Sequence, residues 1–229
     1  GFELDGDYKC TIALAGLTLT NPSGAAINIS NGKRIQISAK KNTVNTLTDG
    51  TGGSQTGCIY SKGQIQLQGN GTLNVTGKTK HAIKSGDYIA IKNLTLNITS
   101  AVKDGINCNE YFLMESGTVT ISSAGDEGIQ CELDGTSSTG ETTDHEDEDS
   151  GNIYIEGGIL TVNAAGEGIE SKGELRITGG EVCVTAKDDA INAASHLTIS
   201  GGKVYACSSG NDGIDANGNC YIKGGLVYA

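Results

Sequence analysis

"KDDAINAASHLTISGGKVYACSSGNDGIDA", residues 187–216, contains one short pattern twice. Asp189 precedes Ala190 and Ile191, and Asp212 precedes Gly213 and Ile214, 23 positions later. Each copy is an acidic residue, a small residue and an isoleucine in succession. A fixed period of this length is typical of chains that stack one supersecondary unit on the next. The first question is therefore how far the period extends.

The same pattern, aligned on its isoleucine, recurs along most of the chain. Its members are Ile27, Ile59, Ile83, Ile106, Ile129, Ile169, Ile191 and Ile214, at intervals of 32, 24, 23, 23, 40, 22 and 23 residues. The interval of 40 equals a unit of 23 residues with 17 more. We assign the excess to the acidic polar stretch "ELDGTSSTGETTDHEDEDSG", residues 132–151, interpreted as a loop insertion in a single domain of residues 1–229.

Each unit contains three short segments in which apolar and polar residues alternate. In "GIESKGELRITGGEVCVTAKD" the inward positions are Ile169, Ser171, Leu175, Ile177, Val182 and Val184. A period of two with glycine turns indicates short strands that each bury one face. Three strands in about 22 residues leave no room for a crossover helix, so each unit is one turn of a solenoid. The sequence predicts an all-β, right-handed parallel β-helix of about nine turns of 22–24 residues.

Small residues occupy the second position after the isoleucine, which indicates a crowded inward corner. They are Ser61, Ser85, Cys108, Cys131, Ser171, Ala193 and Ala216. The chain has 7 cysteines but neither a CxxC motif nor zinc-like spacing. We therefore interpret most of them as small buried apolar residues, not as disulfides or ligands.

Stacking brings acidic residues of successive turns into columns. One column holds Asp104, Glu127, Glu167, Asp189 and Asp212; Asp126 and Asp188 precede it, and Glu170 and Asp215 follow the isoleucine. Two like charges at about 5 Å repel by roughly 0.8 kcal/mol in water and near 3 kcal/mol at an effective dielectric constant of 20. Carboxylates are hard oxygen ligands, so the columns predict Ca²⁺ between turns, above all between those of Glu167, Asp189 and Asp212. The alternative is that these acids cap the turns by accepting backbone N–H groups.

The motifs "[DE]-G-I-x-S", "LxITGGxVxVxA" and "DDAI" resemble those of bacterial calcium-binding β-helix carbohydrate-binding proteins, which are similar in fold to family-9 pectate lyases. The resemblance covers about residues 42–229 and implies Ca²⁺ held by the acidic corner residues. It also implies binding to plant-type polysaccharide, polygalacturonate (pectin) or cellulose, outside the cell or on the surface of a bacterium. Lys103 and Gly166 depart from the acidic motif, and Glu170 is placed to compensate for Gly166. Residues 8–30 lack corner acids and are predicted to form metal-free starting turns.

Net charge and aromatic content limit the classes of partner that the chain can bind. The formal net charge is −11, which argues against nucleic acid, and no apolar run approaches the roughly 20 residues of a membrane span. Tyr205 and Tyr228 occupy the same place in consecutive turns, and Tyr154 and Tyr221 share another outward column. They are candidate carbohydrate contacts, although ordinary surface tyrosines on strands would show the same pattern.

A lyase would need a base positioned beside the metal ion. Lys84, Lys103, Lys172 and Lys187 lie near the columns, but the sequence singles out none of them, and His81, His145 and His196 have no partners at a telling spacing. We assign no catalytic residue. The sequence thus favours calcium-dependent polysaccharide binding without cleavage, with a pectate lyase-like enzyme or a structural surface solenoid as alternatives.

Overall fold

The protein, described by a computed structural model over residues 1–133 and 151–229, contains 27 β-strands and no helix in those residues. The strands form three parallel sheets of nine strands each, so that three consecutive strands make one turn. The first sheet contains β1 (Phe2–Leu4), β4 (Ile27–Ile29), β7 (Gly57–Ser61), β10 (His81–Ser85), β13 (Ile106–Cys108), β16 (Ile129–Cys131), β19 (Ile169–Ser171), β22 (Ile191–Ala193) and β25 (Ile214–Ala216).

The second and third sheets follow the same order. The second contains β2 (Cys10–Leu14), β5 (Ile35–Ala39), β8 (Ile65–Gly69), β11 (Ile89–Lys92), β14 (Tyr111–Met114), β17 (Asn152–Ile155), β20 (Leu175–Ile177), β23 (Leu197–Ile199) and β26 (Cys220–Ile222). The third contains β3 (Thr18–Thr20), β6 (Val44–Thr48), β9 (Thr72–Gly77), β12 (Leu94–Ala101), β15 (Gly117–Ala124), β18 (Ile159–Ala164), β21 (Glu181–Ala186), β24 (Lys203–Ser208) and β27 (Leu226–Tyr228). The predicted all-β parallel β-helix of about nine turns is confirmed.

The repeat isoleucines form one continuous column in the first sheet. Ile106 lies opposite Ile129, Ile129 opposite Ile169, and the pairing continues through Ile191 to Ile214. The first four are fully buried. The last is partly exposed, since β25 has a partner strand on one side only within the described residues.

From Ile59 onward, the corner after each repeat isoleucine is occupied by the small residue that the sequence predicts. Ser171 is buried, and its Oγ lies 2.8 Å from the carbonyl oxygens of both Gly151 and Glu174. At this corner the chain passes from the first sheet to the second, so some carbonyls need a side-chain donor. A serine hydroxyl supplies one without filling space that the core needs.

The interpretation of most cysteines as buried is wrong for three of them. Cys58, Cys108 and Cys131 are buried, whereas Cys183, Cys207 and Cys220 are exposed, Cys10 is half-buried, and all seven are free thiols. Cys183 and Cys207 lie on outward positions of β21 and β24, where alternation turns every second side chain to solvent. Cys220 lies on β26, the last strand of the second sheet.

The register of the second sheet is unbroken on either side of residues 134–150. Phe112 in β14 lies opposite Ile153 in β17, and Met114 lies opposite Ile155. Most of the predicted insertion at 132–151 falls outside the described residues. Among the described residues, no helix has the length and apolar character needed to cross a membrane.

Candidate functional site

The acidic column lies at the corner that leads into the first sheet, and backbone hydrogen bonds align it from turn to turn. Gly105 N–H donates to the carbonyl of Glu127, and Gly128 N–H to that of Glu167, both at 3.0 Å. Gly168 and Ala190 repeat this contact with Asp189 and Asp212 at 2.9 and 3.0 Å. The residue after each acid thus hydrogen-bonds the acid of the next turn, which stacks Asp104, Glu127, Glu167, Asp189 and Asp212 along the solenoid.

Three acids converge at the start of this column. One carboxylate oxygen from each of Asp104, Asp126 and Glu127 lies within 4.8 Å of the other two. Lys103 Nζ lies between them, at 3.4 Å from Asp104 Oδ1, 3.3 Å from Asp126 Oδ2 and 3.4 Å from Glu127 Oε2. Although burial opposes its charge, the carboxylates raise the pKa of Lys103 above its usual range. The donor set suits a hard cation, and an ammonium group takes the central position.

Asp104 is the most buried acid of the column, with no exposed surface. Asn107 Nδ2 donates to its Oδ2 at 2.7 Å, and His81 Nδ1 lies 3.0 Å from the same oxygen. Burial opposes ionisation, but His81, Glu127 and Asn107 hold the pKa of Asp104 well below its usual range. Burial, helped by the Asp104 carboxylate, raises the pKa of Glu127 to about 8. Asp104 is therefore the fixed negative charge of the cluster.

A chain of amides links the first turns of the column to Glu170. Asn107 Nδ2 donates to Gln130 Oε1 at 2.8 Å, and Gln130 Nε2 donates to Glu170 Oε2 at 2.6 Å. Lys172 Nζ donates to Glu170 Oε1. Both oxygens of this predicted metal ligand are thus engaged, and its side chain is buried. Glu170 thus ends a hydrogen-bond network along the first sheet that the sequence did not reveal.

The later turns differ from this arrangement. Asp189 is buried and accepts Asp212 N–H through Oδ1 at 2.9 Å and Asn192 Nδ2 through Oδ2 at 3.1 Å, so it caps the next turn. Asp188 and Asp212 are exposed, and Asp215 is half-buried. Within residues 1–133 and 151–229, only the first cluster brings three acidic, histidine or cysteine ligand atoms within 4.8 Å of one another. The later acids are aligned as expected but do not form a closed site.

No cationic group pairs with the later carboxylates in the described residues. No lysine, arginine or histidine nitrogen there lies within 4.0 Å of a carboxylate oxygen of Glu167, Asp188, Asp189, Asp212 or Asp215. Burial raises the pKa of Glu167, and the charges of Glu170 and Asp188 add to the effect. The column therefore has a neutralised beginning and an unneutralised end.

Tyr205 and Tyr228 form the outward stack that the sequence predicts. Their ring centroids are 5.3 Å apart with an interplanar angle of 5°, and the residues are 36% and 57% exposed. Each ring covers one face of the other, so the pair offers its outer faces and edges to a ligand. The column continues through earlier turns as an uncharged series, Cys183, Thr161, Thr120, Asn97, Asn74, Thr46 and Thr18.

The other tyrosine column does not present two open rings. Tyr221 is 43% exposed, but Tyr154 is only 4% exposed and its ring lies edge-on to Tyr111, with centroids 6.4 Å apart. Tyr111 in turn stacks on Tyr88 at 4.6 Å. Tyr154 belongs to this buried cluster, which corrects its prediction as a carbohydrate contact.

The fold and the acidic corner define a parallel β-helix with a charged ladder along one edge. The chain belongs to the family of carbohydrate-binding domain-containing proteins, whose match covers residues 3–229. The family thus includes the N-terminal turns, which the resemblance in the sequence left out. No curated protein matches the sequence.

A solved structure confirms the architecture. A polysaccharide lyase-like protein from C. thermocellum, determined as a gadolinium derivative, matches with a TM-score of 0.65 and 23% identity over 96% of this chain and 79% of the other. At this identity the likeness establishes the fold alone. The family assigns the chain a carbohydrate partner.

Proposed function

We propose that the protein binds polygalacturonate or a related acidic plant polysaccharide without cleaving it, through Ca²⁺ ions shared between the later acidic turns and the uronate groups. The observation that carries the proposal is the set of unneutralised carboxylates on three successive turns, two of which, Asp188 and Asp212, are exposed. We place the protein outside the cell or on the surface of a bacterium, where such polysaccharides are met.

The charge of the protein requires a bridging cation for this partner. A chain of net charge −11 repels a polyuronate, so direct ion pairing along the acidic corner is unfavourable. Ca²⁺ takes six to eight oxygen ligands, and an open carboxylate ladder leaves coordination positions for ligands from the polysaccharide. We assign the ions to Asp188, Asp212 and Asp215, together with Glu167 of the preceding turn.

The solenoid geometry favours a polymer over a small sugar. Successive turns are about 4.8 Å apart, so the acids repeat at equal intervals along a straight edge. A polysaccharide also repeats along its length, and once one unit is bound the next binds at high effective concentration. Weak contacts at each turn therefore add to a useful affinity.

The test is retention on insoluble polygalacturonate and on cellulose, each in Ca²⁺ and in chelator. We expect retention of the wild type on polygalacturonate in Ca²⁺, and its loss in chelator and in D188N/D212N. The control D5N/D7N removes the same two charges at exposed positions far from the column and should bind like the wild type.

Each contrary result identifies an alternative. Unchanged retention of D188N/D212N overturns the ion bridge. Release of unsaturated products that absorb ultraviolet light would show a lyase. Retention on cellulose alone, unaffected by chelator, would assign binding to the uncharged column that contains Tyr205 and Tyr228, and no retention on either material would favour a structural solenoid.

A further inference from the structure

We propose that Lys103 is a tethered counter-cation that occupies the cluster of Asp104, Asp126 and Glu127 in place of a metal ion, and that its removal turns the cluster into a Ca²⁺ site. This concerns the beginning of the column and is independent of polysaccharide binding at its end.

The position of the ammonium group carries the proposal. Lys103 Nζ lies at nearly equal distances, 3.3 to 3.4 Å, from one oxygen of each of the three acids. These are the same three residues whose oxygens converge within 4.8 Å. A Ca²⁺ ion bound by them would lie about 2.3–2.6 Å from each oxygen, and therefore in the space that the ammonium now fills.

A buried oxygen shows that the cluster needs a cation. Asp104 Oδ1 is buried and accepts no hydrogen bond from the described residues, yet it faces Lys103 Nζ at 3.4 Å. A buried charge without compensation is strongly unfavourable. Lys103 is the cationic group that faces this oxygen, so loss of the ammonium leaves a position that a solution cation can take.

The repeat shows that a lysine stands directly before an acid of the column in this turn and not in the other aligned turns. The equivalent position in later turns holds Asp126, Gly166, Asp188 and Asn211, and in the preceding turn it holds Lys80. Lys80 is exposed and accompanies His81 instead of an acid. Lys103 is thus the lysine of this position that stands beside an acid of the column, and Lys80 is its matched control.

Calcium titration by calorimetry on the intact protein tests the exchange. We expect K103M to bind one more Ca²⁺ per chain than the wild type, and K80M to bind the same number as the wild type. In chelator, K103M should melt about 5 °C lower than the wild type, with the difference recovered in Ca²⁺. K103R retains the positive charge and should show neither effect.

A second substitution locates the additional ion. The gain should disappear in K103M/D126N, which removes one ligand. Equal stoichiometry in the wild type and K103M would overturn the proposal, as would persistence of the additional ion in K103M/D126N. A K103M chain that remains unfolded in Ca²⁺ while K103R folds would also overturn it, because calcium would then fail to replace the ammonium.

Discussion

Asp189 accepts the backbone N–H of Asp212 through Oδ1 at 2.9 Å, so one acid of the column fixes the start of the next turn. Its other oxygen accepts the amide of Asn192 at 3.1 Å. The interpretation as a turn cap therefore fits Asp189, and the interpretation as cation ligands stays a prediction for its neighbours. Buried Asp189 is a cap, whereas exposed Asp188 and Asp212 are open to solution.

Asp189→Ala should lower the free energy of unfolding by about 1–3 kcal/mol, since it leaves a backbone N–H and the Asn192 amide without their acceptor. Asp189→Asn keeps an acceptor oxygen and should lose less. Urea denaturation of both variants in chelator measures the difference. Equal losses would mean that the charge of Asp189, and not its capping contact, stabilises the turn.

Ile129→Ala should destabilise the protein by about 2–5 kcal/mol, because it empties a fully buried position in the continuous column. Ile159 is 49% exposed on the outward face of β18, so Ile159→Ala should cost less than about 1 kcal/mol. Equal midpoints in a denaturation series would contradict the assigned register of the two strands.

Cys58 should make stability sensitive to alkaline pH. Burial, together with the charge of Asp49, raises the pKa of this thiol to about 12. Above about pH 9 the unfolded chain loses the thiol proton that the folded chain keeps. The contribution of the Cys58 thiol to the free energy of unfolding is therefore fully present below pH 9. It declines by up to about 1.4 kcal/mol per pH unit as the pH rises toward 12.

Denaturation of the wild type and C58A between pH 8 and pH 10.5 isolates this contribution, which should vanish in the variant. Alkylation at pH 8 provides an independent check by peptide mapping. The exposed Cys183 and Cys207 should react in the folded protein while Cys58 does not. Equal labelling of all three would show that β7 opens readily.

Y205A/Y228A should weaken binding to a neutral glycan and leave calcium-dependent retention on polygalacturonate unchanged, because the tyrosine pair lies on strands of the third sheet, whereas Asp188 and Asp212 lie in the turns between the third sheet and the first. Y205F/Y228F keeps both rings and should bind like the wild type. Affinity electrophoresis in hydroxyethylcellulose and in polygalacturonate separates the two surfaces. If Y205A/Y228A lost binding to polygalacturonate alone, the tyrosine pair would be assigned to the acidic polysaccharide instead of to the neutral glycan.

The fold could be predicted because the repeat gives the spacing of the buried residues. Isoleucines at intervals of 22–24 residues can share one buried column only if the chain winds at that period, and Gly179-Gly180 marks the turn between two strands. The exposed cysteines could also have been found. Cys183 lies between Val182 and Val184, and alternation turns it outward when both valines face the core.

The site was harder to predict because a column of acids does not specify the partners of each acid. When the alignment of the acidic column is extended one turn back to "KHAI", residues 80–83, His81 takes the position of the acid. This was an available signal for its contact with Asp104. The central position of Lys103 could not be predicted from the sequence, since side-chain direction decides whether a lysine enters a cluster or points to solvent. The contact of the Tyr154 ring with Tyr111 in the adjacent turn likewise depends on side-chain direction.

The unbroken register between β14 and β17 has a consequence for engineering. Phe112 and Ile153 remain opposite each other although residues 134–150 intervene between β16 and β17. This corner therefore tolerates additional chain without a shift of the strands that flank it. A guest peptide grafted there would be displayed at the side of the solenoid, at a defined height among its turns.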